Sequence, residues 1–267
     1  MTYQRTEVVL PCDDLAETLA FFTTTLGFKV DSIYPADSPR VAGLSAHGIN
    51  LLLSSEVTAP PPVLRLVLAE PERYSPTGAP LVAPNGTIIE FAALHAPLEV
   101  PERTDDLVIS RHDDADWGVG RAGMRYRDLI PGRHGGRYIA SHISIPEAGP
   151  VPDYVHYHQV KFQMIFCRRG WAKLVYEDQG EPFRLNAGDC VLQPPEIRHQ
   201  VLECSDRFEV IEIGCPAEHI TLADRTMPLP NGQPKRGKTY GGQHFVHHIA
   251  ADAQWSRWRS NGFECRD

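Results

Sequence analysis

Two histidines one residue apart, in a run of aromatic and β-branched residues, constrain this chain more than any other feature. The run reads Y-V-H-Y-H-Q-V-K-F-Q from Tyr154 and carries His156 and His158. In a strand the side chains of residues i and i+2 leave the same face, so both imidazoles converge on one side of a sheet. Gln163 lies five residues past His158, and Gly170 seven further. Gly188-Asp189 marks another turn, and His199 follows the Pro194-Pro195 pair. Three neutral imidazoles on the inner wall of one sheet structure suit a divalent first-row metal.

This stretch resembles the two signature motifs of the cupin family, G-x5-H-x-H-x3,4-E-x6-G and G-x5-P-x-G-x2-H-x3-N. The H-x-H, the gap to position 163 and the spacing to Gly170 fit, as do Gly188, Pro194 and His199. Gly149 stands one residue too far from His156, Gln163 replaces the glutamate, Glu196 the glycine and Glu203 the asparagine. The resemblance covers roughly residues 120–225. It implies a double-stranded β-helix (jelly-roll) barrel whose metal ligands are His156, His158, His199 and, at the glutamate position, Gln163. One divalent ion per chain is expected, iron(II) first, with nickel, manganese, copper or zinc accepted by the same donors. A neutral glutamine leaves the ion's charge undiminished, where a glutamate would cancel one unit. Such a centre favours an anionic bidentate ligand, and Gln163→Glu is expected to retain metal better and bind anions worse.

Strand parity suggests what else faces the cavity. Ile165 and Cys167 share a face with Gln163, and Val201 and Glu203 share one with His199. Gln193, Tyr154, Tyr157 and His142 complete the expected substrate pocket: Tyr154, Tyr157, His142, Cys167, Gln193 and Glu203. Arg125, Arg127 and Arg137 precede the first motif and are read as solvated or salt-bridged, with a bidentate clamp on a substrate carboxylate as the alternative for one of them. His244, His247 and His248 form a C-terminal cluster, with His244 and His248 on one face if that stretch is helical. No catalytic acid or base is assigned.

The first hundred residues read differently. E-V-V-L-P at 7–11 is a short strand, Asp13-Asp14 an N-cap, and Leu15, Leu19, Phe22 and Leu26 have helical spacing before the stop at Gly27. Strands follow at 28–34 and 48–54. "PCDDLAETLAFFTTTLGFKV" is similar to the opening of the glyoxalase/bleomycin-resistance (vicinal oxygen chelate) family, and "APNGTIIEFAAL" to its closing turn and strand. Between Glu70 and Pro84 there is too little chain for a complete second module. On that alignment Glu7 and Glu90 take two of the family's metal positions. No imidazole joins them, so both are read as ordinary sheet residues and the domain as a packing, dimerisation or substrate-covering element.

The expected architecture is therefore mostly β with an α+β N-terminal part. A vicinal-oxygen-chelate-like βαβββ domain at 1–97 is followed by a linker at 98–118, a cupin barrel at 119–225 and an extension at 226–267. The formal charge of −8 argues against nucleic acid or an anionic membrane as partner. No run approaches a membrane span, no basic-then-apolar leader pattern opens the chain, and six scattered cysteines without C-x-x-C suggest reduced thiols. A cytoplasmic homodimer acting on a small molecule is expected. The cupin resemblance implies, as the leading function, a mononuclear non-haem iron(II) dioxygenase on an enolisable or phenolic substrate. A metal-dependent isomerase, lyase or hydrolase, and a non-catalytic binding protein, are the alternatives. A general base in the cavity, such as Glu203 or His142, would favour the non-oxidative enzyme.

Overall fold

The structure is a computed structural model that describes residues 2, 4–94, 97–111 and 116–266. It divides into two units, one ending at Pro97 and one starting at Leu98. The connector expected at 98–118 includes positions 112–115, which lie outside the described residues.

In the first unit β1 (Val8–Pro11) leads to α1 (Leu15–Ala20), then to β2 (Lys29–Tyr34), β3 (Val41–Ala46) and β4 (Ile49–Ser54). The Asp14 carboxylate accepts the Glu17 amide proton at 2.9 Å, closing the first turn of the helix. Four strands form a sheet in the order β1-β4-β3-β2, with β1 and β4 parallel. Sequence spacing missed β3, because V-A-G-L-S-A is apolar on both faces and lacks a period-two signal. Leu10, Phe22, Leu44, Leu51 and Leu53 fill the core between helix and sheet. A second sheet takes β5 (Val63–Leu68), β6 (Leu81–Val82) and β7 (Ile88–Ala93) in the order β5-β7-β6. One turn of 3-10 helix at Pro71–Arg73 and a two-residue strand stand where a full module would have a helix and two strands. Glu7 pairs with Arg5 at 2.5 Å and Glu90 with Arg65 at 2.8 Å, both as ordinary ion pairs.

The second unit is built from two antiparallel sheets. β8 (Gly118–Val119), β9 (Arg125–Asp128), β10 (Ile139–Ile145) and β11 (Gly149–Pro150) open it. β12 (His156–His158), β13 (Phe162–Arg169), β14 (Trp171–Tyr176), β15 (Phe183–Asn186) and β16 (Cys190–Leu192) follow. Next come β17 (His199–Cys204), β18 (Phe208–Cys215) and β19 (Thr221–Ala223). The C-terminal extension adds β20 (Thr239–Tyr240), β21 (Gln243–His244) and β22 (Val246–His248), then the hairpin β23 (Trp255–Arg257) and β24 (Glu264–Arg266). One sheet runs β22-β16-β13-β18-β10-β9-β8 and the other β15-β14-β17-β12-β19, with β11 also on β17. Alternating residues from both sheets, among them Ile143, Cys167, Val210, Leu174, Tyr176 and Leu185, pack into one core. Gly170 turns β13 into β14 with φ +72, a conformation that favours glycine, and a Cβ there would run into the Ser205 hydroxyl.

The condition for His244 and His248 to share a helical face is not met: β21 and β22 carry the stretch holding His244, His247 and His248, and β22 extends the larger sheet through β16. The expectation that Glu203 shares a face with His199 fails on local geometry. In β17 the pairing with β14 slips between Lys173 and Leu174, where Leu174 faces Val201 but Lys173 faces Glu203. The extra residue reverses the phase of the strand, so Cys204 is buried and Glu203 is exposed.

Candidate metal centre

β12 and β17 pair so that His156 lies directly opposite His199, and His199 in turn opposite Tyr176 of β14. His158, two residues on, leaves the same face. The ligand atoms of His156, His158 and His199 all lie within 4.8 Å of one another, and among the described residues this is the one such group. The rings sit 4.2–5.2 Å apart by centroid.

The outer nitrogen of each ring is fixed. His156 Nδ1 donates to the Tyr154 carbonyl at 2.7 Å and His199 Nδ1 to the Ile197 carbonyl at 3.0 Å, each two residues back along the chain. His158 Nδ1 lies 2.8 Å from the Thr221 hydroxyl, which can accept its proton. A ring that gives up its Nδ1 proton to a hydrogen bond carries its lone pair on Nε2. His156 Nε2 is fully buried and has no hydrogen-bond partner. Three fixed tautomers with an orphaned buried nitrogen among them are what a cation would satisfy, so the residues fit a divalent ion. Burial pulls the pKa of His158 and His199 well below the ordinary imidazole value, with the neighbouring imidazoles adding to it. Burial, then the Arg121 guanidinium, lowers His156 as well. Neutral rings are the form that binds metal.

His158 and His199 line a cavity of about 340 Å³, while His156 is fully buried beside them and not on its surface. Gln163 and Gln193 are both buried there. Gln193 Nε2 donates to Gln163 Oε1 at 2.8 Å and lies 3.3 Å from His199 Nε2. Gln193 Oε1 accepts from the Tyr176 hydroxyl at 2.8 Å, and Gln163 Nε2 donates to Glu212 Oε1 at 2.7 Å. The Gln163 oxygen, expected toward the metal, thus accepts a hydrogen bond from a neighbouring amide.

Of the expected pocket residues, Gln193 lines the cavity and the others do not. Tyr154 contributes its carbonyl to His156 and leaves its ring exposed. Tyr157 points the other way from its flanking histidines, with Arg198 stacked 4.0 Å over its ring. His142 occupies the opposite face of β10, between Arg127 at 3.1 Å and Glu209 at 2.9 Å. Cys167 is on the inner face but wholly enclosed by the core, its thiol pushed up to about 12 by burial. Glu203 is exposed for the reason given above. Arg125 and Arg127 lie over Trp117, and Arg137 bonds the Pro101 carbonyl. His247 stacks on Phe183 at 4.2 Å, away from the three ligands.

Several polar groups in and beside the cavity escaped the sequence reading. Glu212 projects inward from β18, and Arg121 lines the wall while pairing with the buried Asp153. Asp153 also accepts the Val201 amide proton at 3.0 Å and approaches His156 Nδ1 at 3.6 Å. His219 lies 5.3 Å from the His158 ring and is held through Nδ1 by the Pro216 carbonyl at 3.2 Å. Thr221 fixes His158. Parity alone does not find Glu212, because F-E-V-I-E-I carries apolar and acidic residues on both faces and names no inner side.

The family model for the Glyoxalase/Bleomycin resistance protein/Dioxygenase superfamily matches residues 5–181. That span extends past the 1–95 stretch on which the sequence resemblance rests. Among solved structures, an RmlC-like cupin from Shewanella frigidimarina is 20% identical, covering 42% of this chain and 94% of that one at a TM-score of 0.36. The polyketide cyclase RemF from Streptomyces resistomycificus is 18% identical, covering 46% and 89% at 0.39. Oxalate decarboxylase from Bacillus subtilis is 13% identical, covering 45% and 33% at 0.34. No curated protein matches the sequence. Among the described residues no helix is long and apolar enough to cross a membrane.

Proposed function

This chain belongs to the Glyoxalase/Bleomycin resistance protein/Dioxygenase superfamily, and from that premise we propose that its second unit is a metal-dependent enzyme. Its substrate on this reading is a small enolisable or phenolic molecule, and its reaction a cleavage that consumes dioxygen. The observation that carries the proposal is the convergence of three Nε2 lone pairs, one of them buried without a partner. His156, His158 and His199 would hold the ion. When bound, iron(II) supplies Lewis acidity and access to dioxygen chemistry.

The chain's own residues prepare the rest. The Tyr154 and Ile197 carbonyls keep two rings turned inward, so no reorganisation is needed on binding. Apolar side chains such as Ile165, Leu174 and Val201 line the cavity and exclude water from it. Arg121, ion-paired with Asp153, lines it as well. Neutral Gln163 leaves the ion's charge available to that ligand.

The test combines elemental analysis with oxygen uptake, using iron(II)-reconstituted protein and a panel of β-diketones, catechols and 2-hydroxyketones. Uptake by the wild type that His158→Ala abolishes is the expected result. Tightly held zinc with no uptake on any compound overturns the dioxygenase.

A second reading, a metal-dependent isomerase or lyase, is favoured by one observation: the Glu212 carboxylate faces the cavity. That group is placed to take a proton from a bound substrate. Anaerobic turnover of the panel that Glu212→Gln abolishes would select this reading over the oxidative one.

A further inference from the structure

The strand register sorts the cavity into layers of unlike chemistry. Residues paired directly across neighbouring strands share a face, so each inward row of the larger sheet forms one layer. The first holds Ile139, Gly214 and Gln163, with Gln193 beside them. Tyr176 and His199 of the other sheet meet this layer through Gln193. The second holds Ser141, Glu212 and Ile165. Beyond it the lining groups change character: Ile143 and Val210 pair in the third layer, and Ile145 and Phe208 in the fourth. Leu185 and Met124 complete that end. At ~3.4 Å per residue, successive layers lie ~7 Å apart along the strands.

In the third and fourth layers of the larger sheet every lining group is a hydrocarbon side chain except Tyr126, opposite Ile143, whose hydroxyl is turned to Met124 Sδ at 3.7 Å. Space enclosed mainly by such groups offers water few partners and weakens packing wherever it is left unfilled. We infer that the natural ligand is an elongated amphiphile, with an anionic chelating head at the three histidines and an unbranched or aromatic hydrocarbon tail along the Ile143, Val210, Ile145 and Phe208 wall. Ser141 and Glu212, at the boundary, fix where the polar part of the molecule ends. A compact polar acid would leave the far layers unfilled. This rests on the metal reading of the three histidines and adds the shape and polarity of what they bind.

Straight-chain 2-oxo acids, titrated calorimetrically into nickel(II)-loaded full-length protein, test it without turnover. Each added methylene should raise affinity about fourfold, so 2-oxohexanoate should bind roughly 60-fold tighter than pyruvate. Val210→Phe and Ile143→Phe each fill the third layer. Either should remove most of that gain and leave pyruvate within about twofold of wild type. Nickel affinity and melting temperature report that each variant is folded, and the wild-type series needs neither of them. A series flat with chain length on nickel-loaded wild type overturns the tail while leaving the metal reading intact. A length-dependent gain of equal size in metal-free or His158→Ala protein overturns the head instead. Failure of nickel to bind removes the metal reading and this inference together.

Discussion

Replacing Gln163 by glutamate puts an oxygen in place of the amide nitrogen, and the structure turns that into a large electrostatic change. Gln163 Nε2 is 2.7 Å from Glu212 Oε1. Gln163→Glu would put two carboxylates at that separation in a partly buried wall. At an effective dielectric of about 20, two unit charges ~2.7 Å apart repel by roughly 6 kcal/mol. Protonating one of them at pH 7, from an ordinary glutamate value of about 4.3, costs only about 4 kcal/mol. Protonation is the smaller cost, so the pair should keep one proton between them. With the hydrogen bond this proton makes, the net destabilisation of metal-free protein is about 2–4 kcal/mol at pH 7. For a unit of this size that lowers the melting temperature by roughly 5–15 °C.

The pH dependence has a definite sign. The folded-state carboxyl pKa of the variant lies above its unfolded value, so the penalty exists above the unfolded pKa and disappears below it. It should shrink by about 1.4 kcal/mol per pH unit as pH falls from 7 towards 4–5. Adding Glu212→Gln to Gln163→Glu removes the second charge and reverses the donor–acceptor roles: the new carboxylate accepts from both neighbouring amides. The double variant should melt within a few degrees of wild type, as should Glu212→Gln alone. Thermal melts of the four proteins between pH 5 and 8 measure this. A Gln163→Glu protein as stable as wild type at pH 7, or a double variant no better than the single, would refute the reasoning.

Tyr176→Phe removes a fully buried hydroxyl from Gln193 Oε1 and should cost about 1–2 kcal/mol in denaturant titration, because the amide oxygen is left unpaired; an unchanged midpoint would contradict the network. The lowered pKa values of His156, His158 and His199 mean that the unfolded chain binds more protons below about pH 6.5. Metal-free protein should therefore lose stability as pH falls through that value, by up to about 1.4 kcal/mol per pH unit for each ring, and a flat profile between pH 7 and 5.5 would show the rings to be already solvated. Cys167, held at about 12 by burial, should resist a thiol-specific disulfide reagent at pH 8 in folded protein and react once denaturant is added. Peptide mass mapping that finds it labelled in the native state would sink this.

The convergence of His156, His158 and His199 was legible because its signal is local. H-x-H fixes two rings on one face through the period of the strand, and His199 arrives by the turn chemistry of Gly188 and Pro194. Partners that come from distant strands were not legible. Glu212 lies on β18, where each face carries both apolar and acidic residues, so the pattern names no interior. His142 was misplaced by the same ambiguity in I-A-S-H-I-S-I: Ser141 faces the cavity and His142 the outer side. Glu203 was misplaced by a bulge, which no alternation rule anticipates. The arginine lining the cavity is none of Arg125, Arg127 and Arg137, on or beside β9 and β10. It is instead Arg121, in a turn whose direction is set by Asp153 across more than thirty residues of chain. In the first unit the helix and its cap were readable, while β3 was hidden by apolar residues on both faces.

One departure from the cupin pattern explains the polar network as a whole. The pattern has a glutamate at position 163, and this chain has the neutral amide there. A carboxylate is nevertheless present one strand away and one layer further in, at Glu212, paired across from Ile165. A glutamate at 163 would sit among the imidazoles and cancel part of an ion's charge. Set behind the amide, the Glu212 carboxylate does something different: it orients Gln163. Because a carboxylate only accepts, the Gln163 N–H must point to it, which leaves Oε1 to accept from Gln193. Gln193 in turn must present its nitrogen to Gln163 and its oxygen to Tyr176. The direction of every bond from Tyr176 to Glu212 follows from that one acceptor at the end. The nitrogen that Gln193 is thereby obliged to turn inward is the one beside His199. A displaced carboxylate can thus order the wall next to the three histidines without reducing the charge that an anionic ligand would meet there.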